Sequence, residues 1–176
     1  KPAYDALEAA FAKTSAGKGV TFSQSYGPSG SQSKAVAAGQ KADYVGLSLE
    51  PDMTKLVPQF VDSGWNAGKT NGIVSSSVVV IAVRKGNPKH IRGWADLVKP
   101  GVKVLTPNPF SSGSARWNIL AAYGAEIKEG KTEAEATSYL SSLFTNVPVQ
   151  AASGRASLTA FTGGEGDAII TYENEA

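Results

Sequence analysis

Three short stretches rich in serine and glycine have the residue types needed to hold an anion. They are Ser25-Tyr26-Gly27-Pro28-Ser29-Gly30-Ser31-Gln32, Ser111-Ser112-Gly113-Ser114-Ala115 and Ala152-Ser153-Gly154-Arg155-Ala156-Ser157. Their chemistry is donation. Hydroxyls and backbone N–H groups donate hydrogen bonds, and a glycine lets a ligand come close to the backbone. The middle stretch is the most informative, because Lys103-Val104-Leu105 reads as a short buried strand, Pro107 and Pro109 stop it, and residues 115–123 are apolar at helical spacing. It is therefore strand, tight turn, helix start. The first amides of a helix have no intrahelical partner, and the helix dipole adds potential that favours a negative charge. Taken alone, the stretch equally fits an ordinary helix start with Ser112 as its N-cap. Spacing does not decide between the two.

The elements that would position these stretches alternate along the chain. Residues 2–13 carry Ala3, Leu7, Ala10 and Phe11 on one face, with Pro2 suited to a first helical turn and Lys1 already in helical sequence. Residues 20–24 alternate as a strand and lead into the first Ser/Gly turn, after which 34–39 reads as a short helix closed by glycine. Residues 44–49 read as a buried strand, and Glu50-Pro51-Asp52 opens a helix through Val57. A β-branched run fills 73–83, compatible with a fully buried strand. Residues 93–98 form a short helix, 133–143 an amphipathic one, and 147–149 a short strand. The third Ser/Gly turn precedes a helix at 158–161, and 167–172 is a last strand. The fold class is α/β with a mainly parallel sheet, in which ligands sit beyond the carboxyl ends of strands, where such turns gather.

Composition narrows the function. The 176 residues suffice for one domain or two small lobes with a real core. Lys+Arg 17 against Asp+Glu 15 gives a formal charge of +2, and no basic stretch is interleaved with aromatics, which argues against a nucleic-acid partner. The chain has no cysteine, so disulfides, thiolate nucleophiles and cysteine metal sites are excluded. The single histidine, His90, lies in a polar turn without an acidic or histidine partner at ligand spacing, and no metal or other cofactor is expected. No apolar run approaches the ~18–20 residues of a membrane span, so no membrane insertion is expected. Nor does the chain open on a signal peptide.

A longer set of motifs carries a resemblance. The first turn, Ser48-Leu49-Glu50-Pro51-Asp52, Val83-Arg84-Lys85-Gly86-Asn87-Pro88-Lys89, Val98-Lys99-Pro100-Gly101-Val102, Thr106-Pro107-Asn108-Pro109, Gly113-Ser114-Ala115-Arg116-Trp117-Asn118 and Tyr172-Glu173-Asn174-Glu175-Ala176 together resemble the periplasmic sulfate/thiosulfate-binding proteins of bacterial ABC importers. The resemblance spans essentially the whole chain in order. It implies a two-lobe type II periplasmic-binding-protein fold with a dehydrated oxyanion between the lobes, periplasmic localisation, and ABC permease subunits as partners. Ligand donors are implied at Ser29 and Gly30 in the first lobe and at Ser112, Gly113, Ser114 and Gly154 in the second. Tyr172 stands where the family has an indole donor, so the contact is either taken over by its hydroxyl or lost. Ser114 stands where a second glycine is common. Arg116 and Arg155 follow two of the turns and either orient them from behind, add positive potential or face solvent. The implied division is an incomplete first lobe at 1–76, a nearly complete second lobe at 77–172, and the start of a return crossover at 173–176. The chain then reads as truncated at both ends, with sulfate affinity weak or absent unless a domain-swapped or complementing chain supplies the rest.

The residues and the resemblance agree on the ligand. Sulfate near neutral pH is a dianion that only accepts hydrogen bonds, and the three turns contain donors and no acid. Phosphate, which keeps a proton, would want an acceptor. Other readings remain: molybdate or phosphate as the anion, an anion-sensing effector domain of a transcription regulator, or a serine hydrolase. The last lacks a G-x-S-x-G pattern around Ser29 or Ser112 and an orienting acid for His90, so no enzyme activity is expected.

Overall fold

The computed structural model describes residues 2–176, and Lys1, expected in the first helix, lies outside the described residues. Its sheet has four strands, β1 (Val79–Val83), β2 (Val104–Pro107), β3 (Gln150–Ala151) and β4 (Ala168–Tyr172), in the order β1-β4-β2-β3. β2 runs parallel to β4, with Val104 opposite Ala168, and parallel to β3, with Thr106 opposite Gln150. β1 is antiparallel to β4, pairing Val79 with Tyr172. Two of the three pairings are thus parallel. The central strands β2 and β4 are buried over Val104–Pro107 and residues 168–171, as apolar runs covered on both faces must be.

Helices cover this sheet. α4 (Gly113–Lys128) follows β2, α5 (Glu133–Thr145) returns towards β3, and α6 (Gly154–Thr162) leads into β4. The core gathers Leu97, Val104, Ala122, Tyr139, Leu143, Ala168 and Ile170. Leu97 and Leu143 are almost fully buried, each worth roughly 1.5–3 kcal/mol of transfer free energy. Tyr139 enters this core because its hydroxyl finds an acceptor, the Trp94 carbonyl at 2.7 Å, on a short 3-10 helix at Trp94–Val98. α5 starts where the sequence demands: Thr132 Oγ1 accepts from the Glu135 N–H at 3.2 Å while Glu135 Oε2 accepts from the Thr132 N–H at 2.8 Å. Arg84, just past β1, fastens the far end of α6. Its guanidinium donates to the Phe161, Glu165 and Gly166 carbonyls and lies 3.9 Å from the Phe161 ring centroid.

The described residues ahead of β1 form three helices and no strand: α1 (Pro2–Phe11), α2 (Ser29–Ala37) and α3 (Glu50–Thr54). Residues 20–24 and 44–49, expected as strands, are unpaired, and only the last five residues of the 73–83 run form a ladder. Alternation marks which faces a strand would have, but a strand exists only where a neighbour completes its hydrogen bonds. The strand expected at 147–149 lies instead at Gln150–Ala151, past Pro148, which has no N–H for a ladder. Helix starts shift as well. α2, α4 and α6 begin at Ser29, Gly113 and Gly154, inside the Ser/Gly turns rather than after them.

Candidate functional site

That shift is what builds a site. The first turns of α2, α4 and α6 converge on one cleft of about 400 Å³, lined by Ser29, Ser112, Gly113, Ser114, Gly154 and Tyr172 among others. The sequence separates these residues by more than 140 positions; adjacent strands of the sheet bring those after β1 together, and Ser29 joins them through contacts of its segment with the α4 turn. β2 delivers the α4 turn, β3 the α6 turn, and the carboxyl end of β4 delivers Tyr172.

Each wall is made differently. On α2, Ser29 Oγ accepts from the Ser48 N–H and donates to Ser48 Oγ, both at 3.0 Å, and the chain enters this helix through Pro28 without a side-chain cap. On α4, Ser112 is the N-cap residue, yet its hydroxyl makes no cap bond; Ser112 Oγ lies 2.9 Å from Ser114 Oγ. On α6, Ser153 does cap, accepting from the Ala156 N–H at 3.1 Å. The N–H groups of Gly113, Ser114 and Gly154 have no acceptor among the described residues. They are the orphan donors of a helix start, held in a half-enclosed cleft.

The glycines are required by how close the walls come. A Cβ on Gly113 would lie 2.8 Å from the Ser48 Cβ and 3.3 Å from the Ser29 Cβ, so the α2 and α4 turns could not meet with any larger residue there. Gly30, expected as a ligand donor, stands outside the cleft lining, and its N–H is engaged by the Ser111 carbonyl at 3.2 Å. It ties the two turns together.

Tyr172 lines the cleft at the end of β4. Burial raises its phenol pKa, which a hydrogen bond with Ser48 partly offsets and the Glu175 carboxylate raises further. The phenol therefore keeps its proton at neutral pH and is a donor. Arg155 sits on the rim, largely exposed, with its guanidinium 3.7 Å from Glu175 Oε1. Arg116 is behind the wall. Its Nε donates to the Pro109 carbonyl at 2.9 Å, and a terminal nitrogen lies 3.6 Å from Asp52 Oδ1, a carboxylate 1% exposed.

Tyr26, Gly27, Pro28 and Ser153 join the lining from within the Ser/Gly turns, and two further residues of the cleft, from outside those turns, were not singled out as site residues from the sequence. Ser48 partners Ser29, touches Tyr172 and, through its carbonyl, accepts from Trp117 Nε1 at 2.9 Å. Its signal was present, since it stands at the end of the strand-like run at 44–49, two positions before the Glu50-Pro51-Asp52 helix start. Glu175 is the second. The three turns contain no acid, but this carboxylate reaches the cleft from beyond β4, with Oε2 accepting from Thr171 Oγ1 at 3.1 Å. The wall is thus rich in donors rather than composed only of them. Neither Ser29 nor Ser112 has an imidazole partner among the described residues, since their hydroxyls pair with serines. His90 lies in a turn with φ 52°, and the described residues contain no cluster of three or more His, Cys, Asp or Glu able to hold a metal.

The family model described as bacterial extracellular solute-binding protein matches residues 1–176. The chain belongs to this family. Among its relatives, the sulfate-binding protein of Synechococcus elongatus is 43% identical over 98% of the chain, and that of Escherichia coli 41% identical over 98%. A thiosulfate-binding protein of Pseudomonas aeruginosa is 37% identical over 93%. The chain spans about half the length of these curated relatives, 51%, 54% and 51% respectively. The solved sulfate-binding protein SubI of Mycobacterium tuberculosis superposes with a TM-score of 0.94 at 45% identity, covering 99% of the chain and 62% of SubI. The periplasmic binding protein P5PA, at 19% identity and a TM-score of 0.65, shares the fold alone. The chain has the α/β fold of the periplasmic binding proteins. No helix among the described residues is long and apolar enough to cross a membrane.

Proposed function

We propose that this chain is part of an extracytoplasmic solute-binding protein that captures sulfate, or thiosulfate, in the cleft and delivers it to the permease subunits of an ABC importer. The observation that carries this reading is the convergence of three helix N-termini, with unengaged N–H groups and buried hydroxyls, in a family whose matched relatives are named for these two anions. Such a cleft suits a dianion that only accepts hydrogen bonds. Helix dipoles offset the charge without a buried lysine or arginine, whose desolvation would cost several kcal/mol. The proposed ligand donors are Ser112 and Tyr172 through hydroxyls and Gly113, Ser114 and Gly154 through N–H groups, with Ser29 donating when its single hydroxyl proton turns from Ser48 Oγ to the anion. The protein binds and releases, and no bond in the ligand is broken. In this reading residues 1–76 belong to a first lobe and 77–172 to a second, the mature protein is periplasmic, and the remainder of the fold is supplied by the rest of the protein or by a complementing chain.

Glu175 bears on the choice of anion. One oxygen accepts from Thr171 at 3.1 Å and the other lies 3.7 Å from Arg155, so the carboxylate keeps lone pairs that a proton of hydrogen phosphate could meet, and the anion ranking decides between sulfate and phosphate. Ranking sulfate, thiosulfate, phosphate and molybdate by the rise in melting temperature of the intact protein tests the reading. Sulfate or thiosulfate should raise it most. A larger rise with phosphate would contradict it.

A further inference from the structure

The N-cap serine of α6 bonds the helix that it starts, whereas the N-cap serine of α4 does not. Ser112 Oγ lies 2.9 Å from Ser114 Oγ instead, and the two residues are buried, at 4% and 9% exposure. Two hydroxyls in one hydrogen bond place one proton between the oxygens and leave one to donate outwards, and each hydroxyl polarises the other. Ser114 also occupies space. A Cβ on Gly154 would come within 3.0 Å of Ser114 Oγ, so this side chain stands between the starts of α4 and α6, in room that a glycine at 114 would leave to the ligand.

Building on the reading of the cleft as an oxyanion site, we propose that Ser114 is a specificity-determining residue. Its hydroxyl holds that of Ser112 in a donating pair above Gly154 and biases the cleft towards tetrahedral anions whose outer atoms are all oxygen. An anion with one terminal sulfur, larger and a weaker acceptor, fills the same corner less well and leaves the pair poorly matched. A site built to hydrogen-bond one group discriminates strongly against an analogue that lacks it.

Calorimetric titration of the intact protein with sodium sulfate and with sodium thiosulfate, in the wild type, Ser114→Gly and Ser114→Ala, tests this. Ser114→Gly should raise the thiosulfate-to-sulfate affinity ratio about tenfold or more, the worth of one hydrogen bond to a charged group. Ser114→Ala keeps the Cβ while losing the hydroxyl, and should raise the ratio less. A loosened turn weakens both anions together and leaves the ratio where it was. A ratio unchanged within about twofold in both variants, with binding retained, overturns the inference alone. A wild type that binds neither anion overturns the oxyanion reading and this inference with it.

Discussion

Ser112 is buried, at a helix start, and not used as a cap, a combination that only a ligand or its neighbour Ser114 can satisfy. Replacing it with alanine should weaken sulfate binding by about 1–3 kcal/mol, the cost of one hydrogen bond to a charged group. Tyr172→Phe gives a separate test of its phenol. If the hydroxyl donates to the anion, affinity falls by a similar step of about 1–3 kcal/mol in an equilibrium titration, while loss of the Ser48 contact alone leaves affinity close to the wild type. At this scale the sequence marked the serines and glycines that the structure gathers on helix starts around one cleft, but not which of them serve a ligand, because serine and glycine cluster before a helix as ordinary caps and turns too. Ser48 and Glu175 were not legible as cleft residues. One acts from a segment with no ladder to anchor its reading, and the other folds back across β4 through a 3-10 turn that no periodicity announces.

The elements bring these donors so close together that a single added carbon is felt. Gly113→Ala should drive the Ser48 and Ser29 side chains away from α4, since the added Cβ would sit 2.8 Å from the Ser48 Cβ. Anion affinity should fall even though no donor is lost, and because the clash is with a Cβ the variant should also lose about 1–3 kcal/mol of stability in urea unfolding. Away from the site, α5 depends on its capping box. Thr132→Ala should cost about 1 kcal/mol of stability near neutral pH, read from urea unfolding. The hydrogen bonds from Thr132 hold Glu135 below the usual carboxylate pKa, so its contribution is present above the unfolded value and is lost as pH falls through the folded one. The difference between wild type and Thr132→Ala should therefore shrink as the pH drops below ~4. Helices α4, α5 and α6 were legible from apolar spacing, capping residues and the turns before them. Their first residues were not, because serine and glycine signal a turn and a first helical turn equally well. Residues 20–24 and 44–49 carry strand-like patterning without a partner strand, and pattern alone does not supply one.

Across the whole molecule, the segment ahead of β1 meets the sheet-bearing part around the cleft, where Ser29 and Ser48 pack on Gly113 and Ser48 bonds Tyr172, and through three further polar contacts. Gly30 donates to Ser111, Trp117 donates to Ser48, and Arg116 faces the buried Asp52. Asp52 keeps Lys55 at 3.0 Å, while its second oxygen is buried without a hydrogen-bond partner. Arg116→Met should then destabilise the protein by about 1–3 kcal/mol, less than the full cost of stranding a buried charge because Lys55 remains. Asp52→Asn in the same chain should recover part of that loss in a double-mutant cycle. The sequence revealed the class through its alternation, the order of elements from the 73–83 run onward, and the family through motifs spread along the chain. It could not show that Arg116 joins the two parts from behind the turn, since an arginine after a Ser/Gly turn has the same pattern whether it faces ligand, solvent or a carboxylate 64 positions away. The most direct test is an isothermal titration of the intact protein with sulfate, in the wild type and in Ser112→Ala. One anion per chain should bind, and the substitution should weaken binding by about 1–3 kcal/mol. No binding to the wild type, or an affinity that Ser112→Ala leaves unchanged, would contradict the account.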